Sequence, residues 1–178
     1  MKRIKPFLAV LLIIALLPLS VVQADNKTEG IVRVLLTKLN ITDTVRLSLD
    51  GSYTLQGISF QRGSDLIVTS KTGTLMVYYE GMALDAGKSL TLQRHPVADG
   101  KENGIRINDV YELHPGDLVI TVKEGMLRLV LHAPVEEYLL GVVPYEMSDS
   151  FPLEALKAQA ITARTYALRK SGGSGDYD

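Results

Sequence analysis

The sequence contains no cysteine and no tryptophan. Without thiols the chain forms no disulfide, and a cysteine nucleophile or a thiolate metal site is excluded. An apolar core must hold such a chain together. Histidine is scarce as well. His95, His114 and His132 lie far apart and share no ligand spacing, whereas a zinc site wants closely paired ligands. The expectation is no metal and no cofactor. No Gly-x-Ser-x-Gly elbow supports serine hydrolysis. Nor is there an excess of positive charge: 19 Lys and Arg face 20 Asp and Glu. A nucleic-acid partner, which needs a basic stripe, is not expected.

What is present begins with an N-terminal leader. Lys2, Arg3 and Lys5 form a basic head, and Phe7 to Val22 is apolar apart from Pro18 and Ser20. Val22-Gln23-Ala24 puts small residues at cleavage spacing. This three-part pattern predicts a secretory signal peptide over residues 1–24. A retained anchor is the alternative, although the run is short against the roughly 20 residues of a full span. Both readings place the protein outside the cytoplasmic membrane, secreted or associated with the cell envelope. Loss of the head takes 19 basic residues to 16 against 20 acidic ones, a net charge near −4. Residues 25–178 then suffice for one domain with a core. Asn26-Lys-Thr28 and Asn40-Ile-Thr42 fit the glycosylation tripeptide, a pattern frequent by chance.

Residues 31–131 read mostly as strand. Ile31–Leu36, Val45–Leu49, Tyr53–Leu55, Asp65–Thr69, Thr74–Tyr79, Ser89–Leu92, Leu118–Val122 and Met126–Leu131 are short, β-branched or alternating runs. Asp50-Gly51 predicts a hairpin turn between the second and third. Lys71-Thr72-Gly73, Asp85-Ala86-Gly87 and Lys123-Glu124-Gly125 predict further turns, and Pro96–Gly104 a polar loop. The spacing points to an antiparallel sheet or small barrel.

The character changes at Pro134, and residues 134–170 read as helical. Pro134 suits a first helical position, and Glu136 and Glu137 then favour the helix dipole in the first turn. Leu139, Leu140 and Val143 give this short helix an apolar side, and Pro144 is expected to end it. Pro152 opens a longer helix. There Leu153, Leu156, Ala160, Ala163 and Ala167 recur at spacings of three and four as one narrow apolar stripe. Ser171-Gly-Gly-Ser-Gly175 ends it. The expected fold class is α+β: a β-rich part, a short helix, then a longer amphipathic helix.

Glu146 sits between the helices. Most glutamates are solvated surface residues. Val142 to Tyr145 before it reads as a buried segment, however, and a carboxyl held against apolar surface is suited to act as a general acid near neutral pH. On the following helix Lys157 and Arg164 are seven apart and share a face, with Gln159 nearby. They form either a solvated face or a grip on an anionic ligand. The tyrosines mostly suit half-buried strand positions. Tyr145, beside Glu146, is the one placed to line a cleft.

"VEEYLLGVVPYEMSDSFPLEALKAQAITARTYALRK", Val135 to Lys170, closely resembles the signature of the SpoIID/LytB family, named for stage II sporulation protein D. Ile31–Leu36 resembles the family's N-terminal portion more weakly. The resemblance implies a sporulation-type peptidoglycan lytic transglycosylase, or, in the LytB branch, a non-catalytic enhancer of a cell-wall amidase. It implies that Glu146 is the catalytic acid/base and that Lys157 and Arg164 face the glycan. The implied partners are peptidoglycan glycan strands and a cell-wall amidase or other sporulation wall hydrolase. Family domains run on past this point, so the resemblance also implies a chain cut within the domain, and an inactive fragment is the further alternative.

Overall fold

A computed structural model describes residues 30–39, 41–97, 100–101 and 103–178. The leader expected over 1–24, Asn26 and Asn40 lie outside the described residues. Among these residues the chain forms eleven strands followed by two helices. The strands are β1 (Ile31–Leu35), β2 (Thr44–Leu49), β3 (Ser52–Leu55), β4 (Ile58–Phe60), β5 (Ser64–Lys71), β6 (Thr74–Tyr79), β7 (Met82–Gly87), β8 (Ser89–His95), β9 (Ile105–Ile107), β10 (Asp117–Lys123) and β11 (Met126–Pro134). The helices are α1 (Val135–Glu146) and α2 (Leu153–Lys170).

The strands make two antiparallel sheets, ordered β1-β11-β10-β8-β3-β4 and β7-β6-β5-β2-β9. The α+β class with antiparallel sheets is as the sequence leads one to expect. Period-two burial shows why. In β2, Val45, Leu47 and Leu49 point inward while Thr44 and Arg46 face solvent. Those three join Tyr53, Phe60, Leu66, Leu92, Ile107 and Ile120 in one core shared by both sheets. Each large side chain fully buried there contributes about 1.5–3 kcal/mol. Tyr53 takes its hydroxyl inside with it, where it donates to the Gly116 carbonyl at 3.4 Å.

The hairpin expected at Asp50-Gly51 does not form. β2 pairs with β5 and β9, whereas β3 pairs with β4 and β8. The chain crosses from one sheet to the other at this point. Asp50 is held by the Arg106 guanidinium at 2.8 Å, and a Cβ on Gly51 would fall on the Asn103 side chain. This glycine serves close approach, and its φ is not in the left-handed region that a two-residue hairpin needs. Asp85-Ala86-Gly87 is likewise the end of β7 rather than a turn. The turn falls earlier, at Glu80-Gly81, with φ of 46° and 80°. β4, β7 and β9 were not expected; β4 and β9 have three residues each, too few for an alternating pattern to register. The hairpins through Thr72-Gly73 and Glu124-Gly125 form as expected.

α1 packs on the edge strand β1. Val135, Leu139 and Ala167 of α2 close over Val32 as a small second cluster. Pro144 lies inside α1 instead of ending it, and the helix continues to Glu146. The hydrogen bond that Pro144 lacks would have gone to the carbonyl of Leu140, an exposed residue whose carbonyl water can serve. The stripe on α2 packs only toward its C-terminal end. Ala167 is buried, Leu156, Ala160 and Ala163 are half-buried, and Leu153 is 64% exposed.

Candidate functional site

α1 follows β11 directly, with its inward side carrying Val135, Leu139 and Val142, at spacings of four and three. The next position on that side is Glu146, the last residue of the helix. By then α1 overhangs the sheet. Val142 and Val143 are half-buried, and Pro144, Tyr145 and Glu146 are exposed. The apolar bed expected under Glu146 is therefore absent. The two turns of helix after Leu139 reach beyond the residues that could bury them.

The chain then reverses. Met147 takes an extended conformation, and the Ser148 hydroxyl accepts from the backbone N–H of Ser150 at 3.3 Å. Phe151 N–H donates to the Ser148 carbonyl at 3.2 Å. This self-bonded turn lays α2 alongside α1 and brings Gln159 to Glu146, whose carboxylate accepts a hydrogen bond from the Gln159 amide. Farther along the pair, Arg164 grips Glu136 with both arms, Nε to Oε1 at 2.8 Å and Nη2 to Oε2 at 2.6 Å. The hydrogen bond and charge of Arg164 hold the Glu136 carboxyl below its usual range. Two polar clamps thus fix the register of α2 against α1, one of them on the candidate acid.

The other expected site residues fall around this pair. Lys157 is exposed and pairs with Glu154 at 2.8 Å, one turn back on its own helix. Arg164 shares the helix but is engaged by Glu136. Tyr145 is 79% exposed and is held by Lys38, whose ammonium donates to its hydroxyl at 3.1 Å and stands 4.4 Å from the ring centroid.

Sequence reasoning missed what Glu136 and Glu137 do. Both read as acids placed for the helix dipole. Each has an arginine far away in sequence: Glu136 has Arg164, and Glu137 takes Arg94 of β8 at 2.7 and 2.9 Å. That second fork bolts α1 to the sheet. Tyr138 was also missed. Burial raises its hydroxyl pKa, and the nearby charge of Glu146 adds to the effect. Only the topology brings these residues together, so spacing carried no signal for them. Among the described residues no three His, Asp or Glu side chains gather as a metal would require.

Comparison with known proteins gives a consistent picture for the helical part. The family model described as stage II sporulation protein, SpoIID, matches residues 123–178. An uncharacterized protein of Brachyspira hyodysenteriae is 29% identical over 140 residues, 79% of this chain and 36% of that protein. Stage II sporulation protein D of Bacillus subtilis is 55% identical over 40 residues, 22% of this chain and 12% of that protein. The amidase enhancer of Bacillus subtilis is 59% identical over 34 residues, 19% of this chain and 5% of that protein. The chain thus spans only a minor part of the length of the curated relatives it matches. No solved structure matches. From the last residue of β10, through β11 and both helices, this chain carries a domain segment of the SpoIID type.

Proposed function

We propose that the chain belongs to a cell-wall protein of the sporulation type, working outside the cytoplasmic membrane, in which Glu146 cleaves peptidoglycan glycan strands as a lytic transglycosylase. The observation that carries this reading is one solvent-open carboxylate, held by an amide, at the junction of the two helices within the SpoIID-type segment. Ordinary glycoside hydrolysis needs two carboxyl groups. An intramolecular displacement needs one. The Glu146 carboxylic acid gives its proton to the glycosidic oxygen as the bond from that oxygen to C1 of the muramic residue breaks. The same residue's 6-hydroxyl oxygen bonds to C1, and Glu146, now a carboxylate, takes the hydroxyl proton. The products are a 1,6-anhydro sugar and a strand with a free 4-hydroxyl, and Glu146 ends as it began. Holding the nucleophile on the substrate itself converts a bimolecular attack into an intramolecular one.

Lys157 and Arg164 line the same helix, and in this reading their side chains steer the anionic strand, with Gln159 and Tyr145 beside the acid. Mass spectrometry of muropeptides released from denuded glycan strands by the wild type and by Glu146→Gln tests the assignment. Anhydro-muramic products from the wild type alone support it, and products from both would remove Glu146 from the reaction.

The likeness to an amidase enhancer favours a second reading, a wall-binding module that stimulates a cell-wall amidase without cleaving glycan. It predicts that Glu146→Gln leaves amidase stimulation unchanged.

A further inference from the structure

A groove of about 450 Å³ runs between the open edge of β1 and the helix pair. Its floor is apolar, from Val32 and Ala167. Three tyrosines line it: Tyr138 of α1, Tyr166 of α2 and Tyr177 of the C-terminal segment. Tyr166 is 66% exposed and Tyr177 is 44% exposed. Tyr177 packs with the Arg128 guanidinium, 4.9 Å from its ring centroid. Lys170 stands at the rim, 5.9 Å from the Tyr166 ring centroid.

Rings kept wet on the walls of a groove of this size are the usual lining of a ligand site. Two kinds of extended ligand fit a trough beside a strand edge. A peptide would add to β1 through main-chain hydrogen bonds. The edge of β1 is already taken at its centre: Arg33 N–H donates to the Asp178 carboxylate at 2.8 Å, and the Arg33 carbonyl accepts from Asp178 N–H at 3.0 Å. A sugar needs no strand edge. Its C–H faces stack on tyrosine rings, and its hydroxyls meet the phenolic oxygens. The charge of the groove selects further. The Arg33 guanidinium is neutralised by Asp178 at 2.6 Å, whereas the ammonium of Lys170 has a ring for a partner.

We infer that this tyrosine-lined groove is a subsite for a carboxylate-bearing amino sugar of a glycan strand, its rings stacking on Tyr166 and Tyr177 and its carboxylate meeting Lys170. The inference takes its class of ligand from the function proposed above but does not depend on cleavage. Tyr138 of α1, the helix that ends at Glu146, lines the groove, so the subsite and the candidate acid share one helix.

Calorimetric titration of the full chain with denuded glycan strands, and with neutral chitotetraose, tests it. Tyr166→Ala and Tyr177→Ala are each expected to weaken strand binding about tenfold, or about 1.4 kcal/mol. Lys170→Gln should lower affinity for strands toward that for chitotetraose and leave chitotetraose unchanged. Tyr111→Ala, at an exposed tyrosine outside the groove, should bind like the wild type. All three substituted groove residues are exposed, and unchanged thermal melts would exclude misfolding. Undetectable binding by the wild type, or wild-type affinity in all three groove variants, would overturn the inference. Cleavage by the wild type separates the two proposals: a wild-type chain that binds strands tightly but releases no anhydro-muramic product leaves the groove standing and removes the transglycosylase, whereas cleavage with wild-type affinity in all three groove variants does the reverse.

Discussion

The side-chain amide of Gln159 donates a hydrogen bond to the Glu146 carboxylate across the α1–α2 interface. Glu146 is the last residue of its helix and faces the negative end of the helix dipole, so a donor from the neighbouring helix compensates it. On the proposed chemistry, Gln159→Leu frees the carboxylate to rotate and lowers kcat by up to about a hundredfold, with KM little changed. Steady-state kinetics on denuded strands give the split, and partial rescue by Gln159→Asn would distinguish positioning from packing. A raised KM with kcat unchanged would assign Gln159 to substrate binding instead.

The tail is clasped to the first strand by charge. Burial pushes the Asp178 carboxyl upward, but the hydrogen bonds from the Arg33 side chain and backbone outweigh it, and the net shift is downward from the ordinary value of 3.8. A carboxyl depressed on folding stabilises above its unfolded value and loses that contribution as pH falls through its folded value. The clasp is therefore expected to hold at neutral pH and to open below pH 3.8, releasing residues 173–178. Amide exchange of Asp178 across this range, compared with Arg33→Gln at neutral pH, is the check. Slow exchange persisting in the variant would refute the clasp.

His114 behaves in the opposite compartment of pH. Burial lowers its pKa below 6.5, Glu112 opposes weakly, and its Nε2 is buried without a partner among the described residues. Half-buried His132 is shifted the same way by burial. The unfolded chain binds protons at these sites first, so stability is full above pH 6.5 and falls as pH drops through the lowered values. Denaturant titrations between about pH 5 and pH 7.5 should show this slope, and His114→Gln should flatten it. A slope unchanged in the variant would assign it elsewhere.

Gly116 has a φ of 150°, and a Cβ there would fall on the carbonyl oxygen of His132, in the neighbouring strand β11. Backbone cannot step aside as a side-chain tip can. Gly116→Ala is expected to cost about 2 kcal/mol or more, through strain and overpacking together. Gly57→Ala, in open space but at a φ of 83°, should cost less, since only the backbone preference is lost. Similar midpoints for the two variants would contradict this account.

The sequence disclosed the elements better than their partners. β2, β5, β6, β10 and β11 announced themselves by alternation, and Thr72-Gly73 and Glu124-Gly125 by their turn chemistry. Asp50-Gly51 misled because a local signal cannot tell a hairpin from a crossing between sheets. Pro144 misled because the helix that carries it is exposed there. Glu146 was legible as the lone acid between the two helices of the family signature, but the apolar bed expected from Val142 to Tyr145 was not, because the end of α1 is exposed. The long-range pairs Glu136 with Arg164 and Glu137 with Arg94, and the convergence of Tyr138, Tyr166 and Tyr177, needed the topology.

That topology also sets a timetable. Ile31 pairs with Pro134, and Arg33 waits for a residue 145 positions later. An early strand is completed only by residues far along the chain. Loop closures of this length slow folding, because their entropy must be met before the contacts reward it. Until then β1 is an unpaired apolar strand, exposed to association with other chains. Refolding should accordingly end with a late phase that reports on β1 and the tail together.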